Sequence, residues 1–253
     1  MNQDVCSKEK GGLPPTLSIV VPTLNEAENI PILVAEVAAA LEPDKLSWEM
    51  VIVDDDSRDG SEQVFETLRL RGYPLIPVIR KSEKGLATAV LEGFHRASGE
   101  YLVVMDADLS HPPGKIPEMI RHLREGSDFV MGSRYLPGGG TDDKWTLYRY
   151  LNSKIATLLA LPLTRLSDPM SGFFALPRSA WRRCHDLSPV GYKIALELIV
   201  KSRPQKITEV PIYFQTRRLG KSKLTLTQQL LYLKHILRLY CFKIGTAFKM
   251  WVK

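Results

Sequence analysis

Residues 101–113 read YLVVMDADLSHPP, an apolar run that ends in two carboxylates one residue apart. An extended chain places alternate side chains on the same side, so Asp106 and Asp108 should face the same way. Two anions held side by side repel each other unless a cation lies between them. Carboxylate oxygens suit a hard divalent ion such as Mg²⁺ or Mn²⁺, which usually binds one or two carboxylates together with substrate phosphates. Taken alone, the pair fits the solvated end of a strand better than a metal site, so the neighbouring motifs must decide.

Strand patterns alternate with helix patterns around this stretch. Four apolar runs of strand length occupy residues 17–21, 48–53, 75–80 and 101–105. Three helical segments separate them, at residues 29–41, 61–70 and 85–97. This alternation predicts an α/β fold with a mostly parallel, doubly wound sheet. Ligands of such sheets bind beyond the carboxyl ends of the strands, so we expect three acid-bearing turns to converge on one crevice: Asn25-Glu26, Asp54 to Asp56, and Asp106 with Asp108.

The second half of the chain continues the pattern less regularly. Further helices are predicted at residues 116–125, 145–161 and 192–201. Further strands are predicted at residues 128–131, 173–176 and 207–214. The period-2 pattern of the last strand predicts an antiparallel strand at the edge of the sheet. Residues 138–144 read GGGTDDK and predict either a mobile loop over the crevice or a surface linker.

The composition is that of one large domain, or of a domain with an appendage, because 44% of the 253 residues are hydrophobic. A net charge of +6 favours an acidic partner: nucleic acid, a phosphorylated substrate or an anionic membrane surface. Cys6, Cys184 and Cys241 form neither a metal pattern nor a disulfide framework, which fits a reducing compartment. Residues 1–15 are polar and predict a disordered tail rather than a signal peptide. The sequence contains no run of about 18 uncharged apolar residues, so no membrane span is predicted.

The segment from residue 224 to residue 253 predicts a helical tail. Its apolar residues recur at spacings of three and four and form one stripe: Leu230, Leu233, Leu237, Tyr240, Ile244, Phe248 and Trp251. Lys234, Arg238 and Lys249 fall together on another face. A basic amphipathic helix that ends in aromatic residues is typical of binding to a membrane surface. Packing on the chain's own domain and docking onto an integral-membrane subunit are the alternatives.

Seven short motifs occur in order along the chain: VPTLNE (21–26), VDDDSRDGS (53–61), KGL (84–86), MDADLSHP (105–112), GSRY (132–135), SGF (171–173) and GKSKL (220–224). Together they resemble the family 2 glycosyltransferases, and among these the dolichyl- or polyprenyl-phosphate mannose synthases. The resemblance implies a GT-A catalytic domain at residues 16–223, followed by the amphipathic tail at 224–253. It also implies a GDP-mannose donor, a dolichyl or polyprenyl phosphate acceptor, a Mg²⁺ or Mn²⁺ cofactor, and transfer of mannose with inversion.

The resemblance further implies roles for individual residues. The nucleotide would contact Pro22, Thr23, Glu26, Val53, Asp54, Asp55, Lys84, Gly85 and Ala107. The metal would be bound by Asp106, Asp108 and Ser110, the last of which stands where many relatives carry Gln. The acceptor phosphate would contact Arg134, Arg149, Ser153, Arg217, Lys221 and Lys223, with Arg218 beside them. The catalytic residues would be Asp106, Asp108, Arg134 and Asp168.

The chemistry of such a transfer agrees with these residue types. A lipid phosphate is already an anionic nucleophile at neutral pH, so the enzyme needs no general base. It needs positive charge that holds two phosphate-bearing substrates together and stabilises the departing diphosphate, and Arg134 and Arg149 suit that task. Asp168 fits either a catalytic acid or a turn-capping residue. His111 is expected to fix a turn rather than bind zinc, and Glu197 to form a structural bridge.

Other functions remain open from the sequence. One is transfer of glucose or another hexose from a UDP-sugar to the same lipid, and another is a non-catalytic, membrane-associated module that binds nucleotide sugars. Nucleic-acid binding ranks last, because the basic residues are dispersed and no recognition-helix or aromatic-sheet motif is present. The expected location is peripheral, on the cytosolic face of a membrane: the plasma membrane in a prokaryote or the endoplasmic reticulum in a eukaryote. A small membrane-anchoring subunit stays open as a partner.

Overall fold

The computed structural model describes residues 15–82, 84–142, 147–185, 187–188, 193–215 and 226–251. Apart from Pro15, the predicted disordered tail therefore lies outside the described residues. The strands are β1 Leu17–Thr23, β2 Trp48–Asp54, β3 Leu75–Ile79, β4 Tyr101–Val104, β5 Phe129–Ser133, β6 Gly140–Thr141, β7 Phe174–Pro177, β8 Ile207–Pro211 and β9 Tyr213–Phe214. The helices are α1 Ile30–Leu41, α2 Ser61–Leu70, α3 Leu86–Arg96, α4 Ile116–Arg124, α5 Leu147–Ala160, α6 Arg178–Arg182, α7 Ile194–Ser202 and α8 Leu226–Trp251.

The central sheet has the strand order β3-β2-β1-β4-β7-β5-β8. The pairs β1–β2, β1–β4, β2–β3 and β5–β8 are parallel, which confirms the predicted mostly parallel, doubly wound sheet. The antiparallel strand is β7, which pairs with both β4 and β5 in the interior of the sheet.

The prediction of an antiparallel edge at residues 207–214 is wrong, because β8 at the edge runs parallel to β5. The period-2 pattern there reflects partial exposure of an edge strand, which a parallel strand shows equally. The continuation of that segment, β9, pairs instead with β6 in a separate two-stranded sheet. Residues 140–141 of the predicted mobile loop therefore form a strand, and residues 143–146 lie outside the described residues.

Both faces of the central sheet are covered, which explains why its strands are apolar at successive positions. In β1, Ile19 and Val21 join a core formed with α1, α2 and α4, whereas Val20 joins a core formed with α3, α6 and α7. The fit against α3 is close, because a Cβ added at Gly93 would come within 2.2 Å of the Val20 side chain. Overpacking of this kind costs about 1–3 kcal/mol, so a glycine is required there.

The predicted C-terminal helix is present as α8, and one of its faces packs on the domain. Tyr232, Ile236 and Leu239 are buried in a cluster with residues of α5 and α7. The Tyr232 and Tyr240 hydroxyls donate to backbone carbonyls of α5, at Ala156 and Leu159. The helix is therefore fixed to its own domain through a face that the predicted stripe did not contain, Tyr240 excepted.

A second face of α8 is exposed and apolar. Seven apolar side chains on this side are 45–67% exposed: Leu230, Leu233, Leu237 and Ile244 of the predicted stripe, Ile155 and Leu158 on the neighbouring α5, and Leu161 directly after α5. We call these seven side chains the outer apolar residues. The side chains of Phe248 and Trp251 lie outside the described part of the chain. None of the helices in the described residues has the length and apolarity needed to cross a bilayer.

Candidate active site

The predicted acid-bearing turns do lie side by side. β2, β1 and β4 are adjacent and parallel, so the turns that follow them leave the sheet together. They do so at the edge that the carboxyl ends of the parallel strands form. Arg134 follows β5 at that edge as well. Because β7 is antiparallel, the loop that precedes it, which contains Asp168 and Gly172, also lies there. The strand order changes direction between β1 and β4, and ligands of open α/β sheets bind at such a switch point.

Asp54 organises the turn after β2. The residue is 1% exposed, and its carboxylate accepts hydrogen bonds from the Ser57 backbone N–H at 2.8 Å, the Ser57 hydroxyl at 2.6 Å and the Thr23 hydroxyl at 2.9 Å. Glu26 accepts a bond of 2.6 Å from the Asn29 side chain at the start of α1. Thr23, Asp54 and Glu26 thus brace two adjacent turns, and Pro22 and Val53 precede them in the neighbouring strands.

Asp55 is joined to the start of α3. Its carboxylate accepts hydrogen bonds from the Arg80 guanidinium and, at 2.7 Å, from the Gly85 backbone N–H. Gly85 has φ +142°, which side-chain-bearing residues rarely adopt. The Lys84 ammonium lies 3.6 Å from Asp56 and its side chain is 53% exposed. This side of the crevice is therefore fixed by buried carboxylates, with the exposed Lys84 at its rim.

The turn after β4 holds the two carboxylates of the motif. The Asp108 carboxylate accepts bonds from the backbone N–H and the hydroxyl of Ser110, and both residues are buried. The Asp106 side chain is 30% exposed, and its backbone N–H donates to His111 Nδ1 at 3.0 Å. Burial lowers the pKa of His111 in spite of the nearby Asp106 and Asp108 carboxylates. The turn therefore presents one buried and one accessible carboxylate, with the buried Ala107 between them.

Gly172 lies beside the Asp106 carboxylate. A Cβ added at Gly172 would lie 3.6 and 3.7 Å from the two Asp106 carboxylate oxygens. Among the described residues, no group of three His, Cys, Asp or Glu side chains could hold a metal by itself. Two carboxylates on one turn, of which that of Asp106 is accessible, fit a hard divalent ion that completes its shell with substrate phosphates and water.

Arg134 and Asp168 form a buried ion pair. The Arg134 Nε and Nη2 atoms donate to the Asp168 carboxylate at 2.6 and 2.7 Å, and the Arg134 backbone N–H donates at 3.1 Å. Although burial raises the pKa of Asp168, the hydrogen bonds and charge of Arg134 lower it below its usual value. Asp168 is therefore an ionised carboxylate that orients an arginine, and the turn below it is held by Glu209, which accepts bonds from the Ser167 and Asp168 backbone N–H groups.

Lys193 is a basic residue of this region that the sequence did not predict. Its ammonium donates to the Met170 carbonyl, in the loop that carries Asp168. Burial and the nearby Arg134 charge lower the pKa of Lys193 to about 8, while Asp168 and Asp106 oppose that shift. A lysine directly before the apolar helix α7 was the available signal, since such a residue lies at the rim of a core.

Several predicted site residues cannot be placed. Arg149 and Ser153 lie on α5, but their side chains are outside the described part of the chain. Arg217, Arg218, Lys221 and Lys223 lie outside the described residues altogether. Glu197 is a structural bridge as predicted, because it accepts bonds of 2.7 Å from Lys201 and from the Ser188 backbone N–H.

The sequence matches the model of the family described as "Glycosyl transferase family 2" over residues 18–184. A relative named dolichol-phosphate mannosyltransferase, from Saccharomyces cerevisiae, is 41% identical over 90% of this chain and 88% of the relative. Another of the same name, from Mycosarcoma maydis, is 40% identical over 92% of this chain and 82% of the relative. A third, from Pyrococcus furiosus, shares 43% over 88% of this chain and 63% of the relative.

The fold is also that of solved structures. Glucosyl-3-phosphoglycerate synthase from Mycobacterium tuberculosis, in complex with Mn²⁺, UDP and glucosyl-3-phosphoglycerate, superposes with a TM-score of 0.65 at 19% identity, over 91% of this chain and 80% of that one. The same synthase with Mg²⁺ and UDP gives 0.63 at 18%, over 91% and 80%. The likeness to these structures shows the fold, and the family model shows the family: this chain belongs to glycosyl transferase family 2.

Proposed function

We propose that this protein transfers mannose from GDP-mannose to a dolichyl or polyprenyl monophosphate with inversion, giving a lipid-linked mannose donor for glycosylation. The observation that carries the proposal is the meeting, at one edge of the sheet, of the Asp106/Asp108 turn and the buried Arg134–Asp168 pair. The three relatives named dolichol-phosphate mannosyltransferase support mannose and the dolichyl acceptor.

A divalent metal, Mg²⁺ or Mn²⁺, would be held by Asp106 and Asp108, and in that position it would neutralise the charge that develops on the departing diphosphate. Ser110 is assigned to the same site through its bond to Asp108, whose direction it fixes. Mn²⁺ and Mg²⁺ accompany UDP in the structural neighbours, which supports a divalent ion for this fold.

The nucleotide is assigned to the turns after β1 and β2 and to the start of α3. The braced residues Pro22, Thr23, Glu26, Val53, Asp54 and Asp55 would form its floor, and Lys84, Gly85 and Ala107 its rim. Asp54 and Asp55 already accept several internal hydrogen bonds, so their main task would be to hold backbone groups in place for the base and ribose.

The acceptor phosphate is assigned to Arg134, with Arg149, Ser153, Arg217, Lys221 and Lys223 as further contacts. The phosphate needs no base to activate it, and Asp168 is in any case bound to Arg134. Direct attack of the phosphate oxygen on the anomeric carbon, from the face opposite the leaving diphosphate, gives inversion. Asp168 would serve the reaction by holding the Arg134 guanidinium in a fixed direction.

The membrane surface is assigned to the outer apolar residues, because seven exposed apolar side chains on α8, on α5 and directly after α5 are costly in water. Lys154, Lys234, Arg238 and Lys243 lie on the same helices and suit anionic lipid head groups. This surface would bring the chain, as a peripheral protein, to the cytosolic face of the membrane that contains its lipid substrate. A small membrane-anchoring subunit that covers the same residues is the alternative.

The test is incubation of the full chain with Mg²⁺, polyprenyl phosphate and either labelled GDP-mannose or labelled UDP-glucose, followed by lipid extraction. We expect labelled lipid from GDP-mannose. Label from UDP-glucose alone would select the hexosyltransferase alternative. Nucleotide binding without labelled lipid from either donor would leave only a non-catalytic binding module.

A further inference from the structure

The side chain of His111 lies beneath the turn that carries Asp106 and Asp108, with 2% of its surface exposed. Its Nδ1 atom accepts the Asp106 backbone N–H at 3.0 Å. A ring nitrogen that accepts a hydrogen bond carries no proton. The separation of 3.9 Å between His111 Nδ1 and Asp106 Oδ2 is therefore not an ion pair, and His111 acts on Asp106 through the backbone.

The Asp106 N–H needs this acceptor because the chain leaves the sheet there. The Met105 N–H still donates to Val20 of β1, at 3.2 Å, but the next donor has left the strand ladder. This partly buried donor still needs an acceptor, because loss of the partner of a donor shielded from water is unfavourable. Leu109, at φ +61°, reverses the chain and brings His111 back to the start of the turn. His111 thus supplies the acceptor that a neighbouring strand would otherwise provide, and its bond to the Asp106 N–H closes the turn.

The His111 ring is itself held by two other segments. Phe173, in the loop before β7, stacks on it with a centroid distance of 5.3 Å and an interplanar angle of 17°. Phe214 of β9 meets it edge-on at 5.4 Å. The hydrogen-bond acceptor of the turn is therefore also held by the loop before β7 and by β9.

We infer that His111 is a positioning residue that sets the direction in which Asp106 presents its carboxylate to a divalent metal. The inference rests on the metal-dependent function proposed above and adds a residue to it. Hydrogen bonds that orient a metal ligand typically contribute about 10–100-fold to metal affinity. A ring that merely filled space would affect the stability of the fold and leave metal affinity unchanged.

Three variants of the full chain separate these roles. His111→Asn is compared first with His111→Phe and then with His111→Gln. His111→Phe keeps an aromatic ring between Phe173 and Phe214 but removes the acceptor. His111→Asn removes the ring but places an acceptor oxygen as many bonds from Cβ as Nδ1 is. His111→Gln carries the same amide one bond further out, and serves with the Asn variant as the second pair if the Phe variant does not fold.

The readout is the Mn²⁺ concentration that half-saturates binding of fluorescent GDP, with the melting temperature measured alongside. We expect His111→Phe and His111→Gln to raise that concentration about 10–100-fold, and His111→Asn to stay within about threefold of the wild type. The inference is overturned if the Phe or Gln variant matches the wild type, if the Asn variant is impaired as much as they are, or if GDP binding to the wild type does not depend on Mn²⁺. Absence of mannolipid synthesis would instead refute the proposed transfer, since the GDP-binding readout involves no transfer.

Discussion

The guanidinium of Arg134 donates two hydrogen bonds, of 2.6 and 2.7 Å, to the carboxylate of Asp168, although the residues are 34 positions apart in the chain. Both side chains are nearly inaccessible to solvent, with 9% and 0% of their surface exposed. Such a pair fixes the plane of the guanidinium, because a bidentate bond permits only one orientation.

Replacement of Asp168 by Asn should leave a buried, poorly paired arginine. We expect the free energy of unfolding to fall by about 3–5 kcal/mol, and the KM for the lipid phosphate to rise because Arg134 can turn away. Urea denaturation and initial rates at varied polyprenyl phosphate measure the two effects. Asp128→Asn is the matched control, since Asp128 also accepts backbone N–H groups but precedes β5 at the opposite edge of the sheet. An unchanged KM in a folded Asp168→Asn variant would contradict the role of the pair.

Replacement of Asp108 by Asn should remove the charge that a metal needs while retaining the oxygen that accepts from Ser110. Since outer partners of a metal already contribute about 10–100-fold, loss of a direct ligand should lower turnover by more than about 100-fold. The melting temperature should change little. Turnover is measured with saturating Mg²⁺ and GDP-mannose, and Glu66→Gln on the exposed face of α2 is the control. Near-normal turnover of the Asp108 variant would exclude this carboxylate from the metal site.

The pKa of about 8 for Lys193 predicts a pH effect on activity. The charged form, which attracts phosphate, is present below that pH and is lost as pH rises through it. We therefore expect kcat/KM, which reports the free enzyme, to decline above about pH 8. Lys193→Arg should move the decline to higher pH, because arginine stays protonated. Lys193→Met should have a lower kcat/KM without this decline, and a decline identical to that of the wild type would assign it to another group.

The outer apolar residues predict binding to lipid vesicles. Leu233→Glu combined with Leu237→Glu should weaken partitioning onto vesicles of anionic phospholipid by about 100-fold or more, because burial of each leucine contributes about 1.5–3 kcal/mol. Cosedimentation measures the partitioning. Leu70→Glu on α2 is the matched control, since Leu70 is 87% exposed on another helix. Equal partitioning of the double variant and the control would argue for a protein partner on this surface.

The sequence predicted those features that depend on local pattern. The apolar runs gave the parallel strands, and the rule that ligands bind beyond strand ends correctly brought Asn25-Glu26, Asp54 and Asp106 to one edge. The insertion of β7 between β4 and β5 was not predicted, because strand partners far apart in the chain leave no trace in periodicity. For the same reason the sequence could not pair Asp55 with Arg80 or Arg134 with Asp168.

The C-terminal helix shows a second limit of sequence patterns. Leu230, Leu233, Leu237 and Ile244 were correctly grouped on one stripe, and they are exposed. The buried face with Tyr232, Ile236 and Leu239 was missed, because it adjoins the stripe and one periodic signal cannot separate two apolar faces. Contacts with α5 and α7 decide which face of α8 packs on the domain. The sequence of α8 alone contains no information about these contacts.

Packing of the inner face of α8 on the domain would make membrane binding by its outer face more favourable. Peripheral helices that are unstructured in solution must lose backbone entropy, about 1–2 kcal/mol per residue, when they bind a bilayer. The described part of α8 is already helical and is held to α5 by Tyr232 and Tyr240. Its attachment to a surface would therefore be a rigid-body collision, without a coil-to-helix transition. Addition of vesicles should leave the far-ultraviolet circular dichroism unchanged while the protein binds.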